Sequence, residues 1–325
     1  MSQFTDDDMK VGWNLQATWV QSEVDKRTRH ERPHGQMKLM WSNLLGLALV
    51  EEDMQDKGDE RSIQLVVAGA SPGTHMPVLL RQLQAWMEKR KVKVAFYDPH
   101  PLDAKLKSIV DGDTKNMSFA PRVFTDKDAT RWSHVDRSTT RVVFFSDIRS
   151  KIHGKKEHVN EDEEKIAADM QAQQAWVQIM TPDYCMLKFH APHGTPDNKS
   201  VKSSLWYLPG DVYEQAYVGQ FSAEYRLFCT RTDVGQKHEY STAAIERHAF
   251  YHTNITRPKR FSVEGVDRQM PYDDAFAAHV AHKAARWLKI NAQELLRASD
   301  GMKYEAHVQF ARGRIRCMRM RMSQI

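Results

Sequence analysis

Ile63-Gln64-Leu65-Val66-Val67-Ala68-Gly69-Ala70-Ser71-Pro72-Gly73-Thr74-His75 is the stretch whose reading decides the fold. A short aliphatic, β-branched run ends in a turn with two glycines, and Met76 to Lys89 after it carries helical spacing, so the order is strand, turn, helix. The pattern recurs on both sides. Lys91 to Tyr97 reads as a strand ending at Asp98, Arg141 to Phe145 as one ending at Ser146-Asp147, and Tyr184 to Phe189 as another. Asn160 and Glu163 form a capping-box signature for a helix reaching about Met180, with Ile166, Met170, Val177 and Met180 on one side. Upstream, Met37, Trp41, Leu44, Leu45 and Ala48 recur at helical spacing over 34–52, and Lys38 lies about 60° around that helix from Trp41.

Strands alternating with helices predict an α/β fold: a mostly parallel central sheet with helices on both faces, binding its ligands at the carboxyl ends of the strands. Tyr217 to Thr230 alternates differently, with Phe221, Ala223, Tyr225 and Leu227 on one face and Ser222, Glu224 and Arg226 on the other. It is read as a terminal antiparallel strand. Residues 273–298 read as helical, with a second capping box at Asn291 and Glu294. The expected organisation is an N-terminal arm over 1–33, a single domain over 34–299 and a basic tail over 300–325. In that tail Arg312, Arg314, Arg316, Arg319 and Arg321 alternate with apolar residues, and an ordinary basic terminus is weighed ahead of an RNA-contacting one.

Composition narrows the classes. In 325 residues, 41% hydrophobic content supplies a substantial core, and a net charge of +5 with clusters such as Lys89-Arg90-Lys91 leaves room for a polyanionic partner. Three widely spaced cysteines imply no disulfide framework. No run of 18 apolar residues and no leader-like start occur, so a soluble, cytoplasmic protein without a membrane span is expected.

The glycine loop lacks the Gly-x-Gly-x-x-Gly spacing of dinucleotide sites, and no Gly-Lys-Ser/Thr follows it. Asp98, 25 residues after Gly73 at the end of the second strand, has the placement of an acid that accepts ribose hydroxyls. An adenosine-containing cofactor without a pyrophosphate fits, and S-adenosylmethionine is the foremost candidate. His30/His34 and His248/His252 have i, i+4 spacing, but no acid or cysteine visibly completes either pair, so no metal is expected.

Four blocks in order carry a resemblance: Gly35-Gln36-Met37-Lys38-Leu39, Gly69 to His75, Ser146-Asp147-Ile148-Arg149-Ser150, and Ser222-Ala223-Glu224-Tyr225-Arg226-Leu227, with a looser fifth from Ile245 to Asn254. Over about 34–254 the chain resembles the poxvirus family of cap-specific messenger RNA 2′-O-methyltransferases that are also poly(A) polymerase regulatory subunits. The resemblance implies a Rossmann-like methyltransferase fold and a catalytic tetrad at Lys38, Asp147, Lys188 and Glu224. It implies S-adenosylmethionine surrounded by Gln36, Leu39, Gly69, Ser71, Gly73, His75, Asp98, Val123 and Arg149. Where the family has Asp-Gly-Arg after the second strand, this chain has Asp98-Pro99-His100.

The implied reaction is methylation of the first transcribed nucleotide of capped mRNA at its ribose 2′-hydroxyl. That hydroxyl is a poor nucleophile, so the reaction needs in-line positioning and a proton acceptor. A lysine serves only when burial or a second ammonium lowers its pKa, and Lys188 is assigned as the base, with Asp147 beside it and Lys38 and Glu224 orienting. Glu246, Phe221, His193 and Trp19 are the implied cap contacts, because a methylated cationic base favours aromatic faces. Two alternatives stand beside this reading: methylation of internal RNA riboses, and a binding role as partner of a poly(A) polymerase catalytic subunit.

Overall fold

The computed structural model describes residues 3–12, 35–150, 159–190, 204–219, 222 and 224–302. In chain order the elements are α1 (Asp6–Met9), α2 (Gly35–Asp56), β1 (Ser62–Ala68), α3 (Met76–Lys89), β2 (Lys93–Tyr97), α4 (Ala104–Gly112), β3 (Met117–Ala120), α5 (Asp126–Ser133), β4 (Thr140–Ser146), α6 (Val159–Met180) and β5 (Tyr184–His190). There follow β6 (Ser204–Tyr207), β7 (Asp211–Tyr213), β8 (Glu224–Thr230), β9 (His238–Ser241), α7 (Thr242–Tyr251), a π-helical turn (His252–Thr256), β10 (Arg260–Val263), β11 (Val266–Pro271) and α8 (Tyr272–Leu288).

Seven strands form the central sheet in the order β3-β2-β1-β4-β5-β8-β7. β1 pairs in parallel with β2 and β4, β2 with β3, and β4 with β5, whereas β8 runs antiparallel to both β5 and β7. This is an α/β, Rossmann-like sheet with an antiparallel pair at one end. Strand periodicity sorts the core into two layers. Ile63, Leu65 and Val67 of β1, with Val143, Phe145 and Met186, face α2, α3 and α8. Val66 and Ala68, with Val142, Phe144, Cys185 and Leu187, face α5, α6 and α7.

β8 is not the terminal strand that the alternation over Tyr217–Thr230 suggested. It begins at Glu224, and β7 pairs along its outer edge. Six of its seven residues are buried, because helices cover both of its faces. The region over 273–298 is also divided: α8 ends at Leu288, Lys289 adopts a left-handed conformation, and a second helix starts at 292. The Asn291 side chain accepts the backbone N–H of Glu294 at 3.1 Å, which caps that second helix. The side chains of Asn160 and Glu163, assigned to the first capping box, lie outside the described residues, as do the basic tail beyond 302 and residues 13–34. Phe4 and Met9 are buried in the α2-side core, and Phe4 donates its backbone N–H to the carbonyl of Ser262.

Candidate functional site

Positions on the α2 side of the sheet decide what meets there. Lys188 shares the face of Tyr184 and Met186 on β5, and Glu224 and Arg226 share the face of Phe228 on β8. Cross-strand register places Lys188 opposite Arg226. Asp147 follows the last residue of β4, its backbone N–H bonded to the Ala68 carbonyl at 2.9 Å, and Lys38 comes down from the first turns of α2. Lys38 and Glu224 form a short charged hydrogen bond. Lys188 Nζ stands 3.3 Å from both Asp147 Oδ1 and Glu224 Oε2. Four side chains from α2, β5, β8 and the end of β4 thus form one contiguous cluster at the carboxyl edge of β4 and β5.

Two further residues complete it that the sequence did not single out. Arg226 Nη2 donates to Asp147 Oδ1 at 2.6 Å, and its Nε donates to Gln215 Oε1 at 2.8 Å. Gln215 in turn donates to the Glu224 carbonyl at 2.8 Å and to its carboxylate at 3.3 Å. Arg226 sits two residues after Glu224 on the same strand face, and that alternation was the available signal; nothing local pointed to Gln215.

Lys38, Lys188 and Arg226 against Asp147 and Glu224 leave one excess positive charge. Burial pushes the Lys38 ammonium below the ordinary lysine value, although Glu224 and Asp147 pull it back up. Burial alone would raise the carboxyls of Asp147 and Glu224, yet the surrounding cations outweigh it. Arg226, Lys188 and Lys38 hold Asp147 below the carboxylate range, and Lys188, Lys38 and Arg226 hold Glu224 well below it. Both acids are therefore ionised at neutral pH.

The glycine loop lies against this cluster. Gly69 has φ +81°, and a Cβ there would come within 2.7 Å of the Asp147 backbone, so only glycine lets the loop approach the end of β4. Gly73 has φ +66°, with the Ala70 carbonyl 2.7 Å from where a Cβ would stand. Leu39, Gly69, Ala70, His75, Asp147 and Arg226 line a small cavity between α2 and the ends of β1 and β4. His75 is fully enclosed. Its Nδ1 lies 2.9 Å from Gln36 Oε1 and its Nε2 3.0 Å from the Asn43 amide, which selects the Nδ1–H tautomer. Burial lowers its pKa to about 4, so the ring is neutral and presents no repelling charge to a cationic ligand.

Asp98 closes the loop from the other side. Its carboxylate accepts the backbone N–H of Ser71 at 3.0 Å and of His100 at 2.8 Å, and the Ser71 hydroxyl donates to the Pro101 carbonyl at 2.8 Å. Val123 is 59% exposed on the loop after β3. Arg149 is half exposed and reaches Glu224 Oε2 at 3.6 Å, placing it beside the tetrad. Glu246 is exposed on α7, whereas Trp19, His193 and Phe221 lie outside the described residues.

Sequence reading found no acid to complete His248/His252. The fold supplies one: Glu214, 34 residues upstream of His248, has its Oε1 2.5 Å from His248 Nε2 and 3.6 Å from His252 Nδ1. The correction has a tertiary cause, since Glu214 leaves the end of β7 and only the packing of α7 against that edge joins them. His30 and His34 lie outside the described residues. Among the described residues no helix is long and apolar enough to cross a membrane.

The protein is thus an α/β protein with a doubly wound sheet that gathers a charged cluster at the carboxyl ends of its central strands, beside a glycine loop. The chain belongs to the poly A polymerase regulatory subunit family, whose sequence profile matches residues 15–273. Among solved structures, it is similar to bluetongue virus VP4, described as a multifunctional RNA-capping production line, at 11% identity and a TM-score of 0.45. The match covers 74% of this chain and 37% of that one, so the chain spans well under half of VP4. No curated protein matches in a sequence comparison.

Proposed function

We propose that this protein transfers a methyl group from S-adenosylmethionine to the ribose 2′-hydroxyl of the first transcribed nucleotide of capped mRNA. The observation that carries the reading is the convergence of Lys38, Asp147, Lys188 and Glu224 in one contact-linked cluster beside the Gly69 loop.

The cofactor would rest on Gly69, Leu39 and the neutral His75, with Asp98 turned to its ribose and Asp147 close to its positive charge. It supplies an electrophilic methyl group. Lys188 would take the proton of the 2′-hydroxyl as that oxygen accepts the methyl group, ending as an ammonium, and the spent cofactor would leave as S-adenosylhomocysteine. Glu224 and Asp147 then stabilise the ammonium that forms, and Lys38 and Arg226 keep those two acids ionised and in place.

Capped RNA incubated with labelled S-adenosylmethionine should accept methyl groups, uncapped RNA should not, and Lys188→Ala should abolish the transfer. Full activity in that variant would reject the assigned base, and a preference for uncapped RNA would select internal riboses as the substrate.

The family description favours a second, compatible role as the partner of a poly(A) polymerase catalytic subunit. A Lys188→Ala protein that still co-purifies with a polymerase and stimulates tailing would separate that binding role from the chemistry.

A further inference from the structure

Glu214, His248 and His252 belong neither to the methyl-transfer cluster nor to any surface ion pair, and all three are buried. From their placement we infer a structural site for one divalent metal ion of the zinc class, held by Glu214, His248 and His252.

Three arguments lead there. The first is the donor set. Two imidazoles and a carboxylate suit a borderline ion such as zinc, and one ligand atom from each residue lies within 4.8 Å of the others. Donors about 2.0–2.1 Å from a tetrahedral ion stand roughly 3.3 Å apart. The 3.6 Å between Glu214 and His252 is already close to that, and the 2.5 Å between Glu214 and His248 needs to open by under about 1 Å as the ion replaces the hydrogen bond between them.

The second is charge. Arg257 and Asp273, the neighbouring charges, neutralise one another at 2.5 Å, which leaves the Glu214 carboxylate as the anionic donor of the pocket. A dication finds there an anionic ligand that offsets part of its charge. The third is incomplete satisfaction: His252 Nε2 and the Tyr225 hydroxyl are buried with no hydrogen-bond partner among the described residues, and the Tyr225 ring lies tilted beside His248, centroids 6.0 Å apart. A water on the fourth position of the ion would serve that hydroxyl.

The backbone agrees. His248 lies in α7 and His252 opens the π turn, a widened turn of the kind concentrated at functional positions. Glu214 also donates its backbone N–H to the Met9 carbonyl and adjoins Gln215, so the ion ties α7 to the sheet edge that holds Glu224 and Arg226.

The test uses the full chain expressed in zinc-supplemented medium. Elemental analysis should find about one zinc per chain. Cobalt(II) loading should give the visible absorption of a tetrahedral site. His252→Ala and the near-isosteric Glu214→Gln should each weaken cobalt binding at least tenfold and lower the purified metal content in proportion. Metal below a tenth of an equivalent in the wild type after zinc addition would overturn the assignment. So would a full equivalent persisting in the His248→Ala/His252→Ala protein. Should the alanine variants fail to fold, unchanged cobalt affinity in folded Glu214→Gln overturns it equally. None of these readouts depends on methyl transfer.

Discussion

Two buried ion networks occupy opposite ends of the central sheet, and they are built from different cations. At the amino end, Arg90 holds Glu51 through Nη2 at 2.7 Å and Nε at 2.8 Å, Arg141 bridges Asp59 and Asp183 at 2.6 Å each, and Arg137 adds a second contact to Asp183 at 2.9 Å. The cations there are all arginines. At the carboxyl end, two lysines and one arginine surround Asp147 and Glu224. Guanidinium stays charged at any physiological pH and its planar fork matches a carboxylate, so an arginine network fixes shape. An ammonium in the same setting can give up its proton, so a lysine network carries a latent base. Burial would lower the pKa of Arg90, but its bonds to Glu51 win and raise it; for Lys38, burial wins.

The largest test of this contrast pairs Lys188→Ala with Arg90→Ala. Removing the lysine should cost methyl transfer about 10²–10⁴-fold, the range for a positioned acid–base group, while the urea midpoint changes little. Removing the arginine leaves Glu51 uncompensated where Arg90's side chain is fully enclosed, and stability should fall by about 3–5 kcal/mol. Single-turnover transfer measured beside urea melts checks both. A Lys188→Ala protein that unfolds like Arg90→Ala, with proportionate loss of activity, would place both networks in the same structural role.

How far the contrast was readable in advance depended on whether its residues signal locally. β1, its glycine loop and the strands ending at Asp98 and Asp147 are aliphatic runs bounded by turn residues, and burial on both faces is written into such runs. Lys188 was conspicuous as a charge inside Tyr184–Phe189. Arg226 was not, because its importance lies in the register that sets it opposite Lys188, and register is a property of the folded pair. β7, β9 and β11 escaped notice for a similar reason. Asp211–Tyr213 is three residues long, His238–Ser241 is mostly polar and Val266–Pro271 is half polar and largely exposed, so neighbours and not propensity make them strands. Glu214 and His248, 34 residues apart, meet only through tertiary packing.

A pH series sharpens the comparison further. Because Lys38 has a folded pKa below its ordinary 10.5, the unfolded chain binds more protons than the folded one between those two values. Its contribution is therefore unfavourable at low pH and is relieved as pH rises through that window. The stability of the wild type relative to Lys38→Met should increase on approaching pH 10.5. Relative to Arg90→Ala it should stay level, since Arg90 does not titrate there. Parallel slopes for the two pairs in urea melts between pH 7 and 10 would erase the distinction drawn between the two ends of the sheet.

The smallest effect probes where the carboxyl-end network stops. Arg149 is half exposed and 3.6 Å from a Glu224 carboxylate that Lys38 and Lys188 already contact. Solvent screens such a pair, and its contribution to stability should be under about 1 kcal/mol. Glu224 keeps its ionised state without it, because the cations that hold its carboxyl low are Lys188, Lys38 and Arg226. Arg149→Ala should therefore leave the pH profile of transfer in place and lower the rate only a few-fold, through looser positioning at the mouth of the cluster. A displaced pH profile would mean that Arg149 sets the protonation of the cluster itself, and the boundary between the enclosed charges and the solvated rim would have to be moved outward to include it.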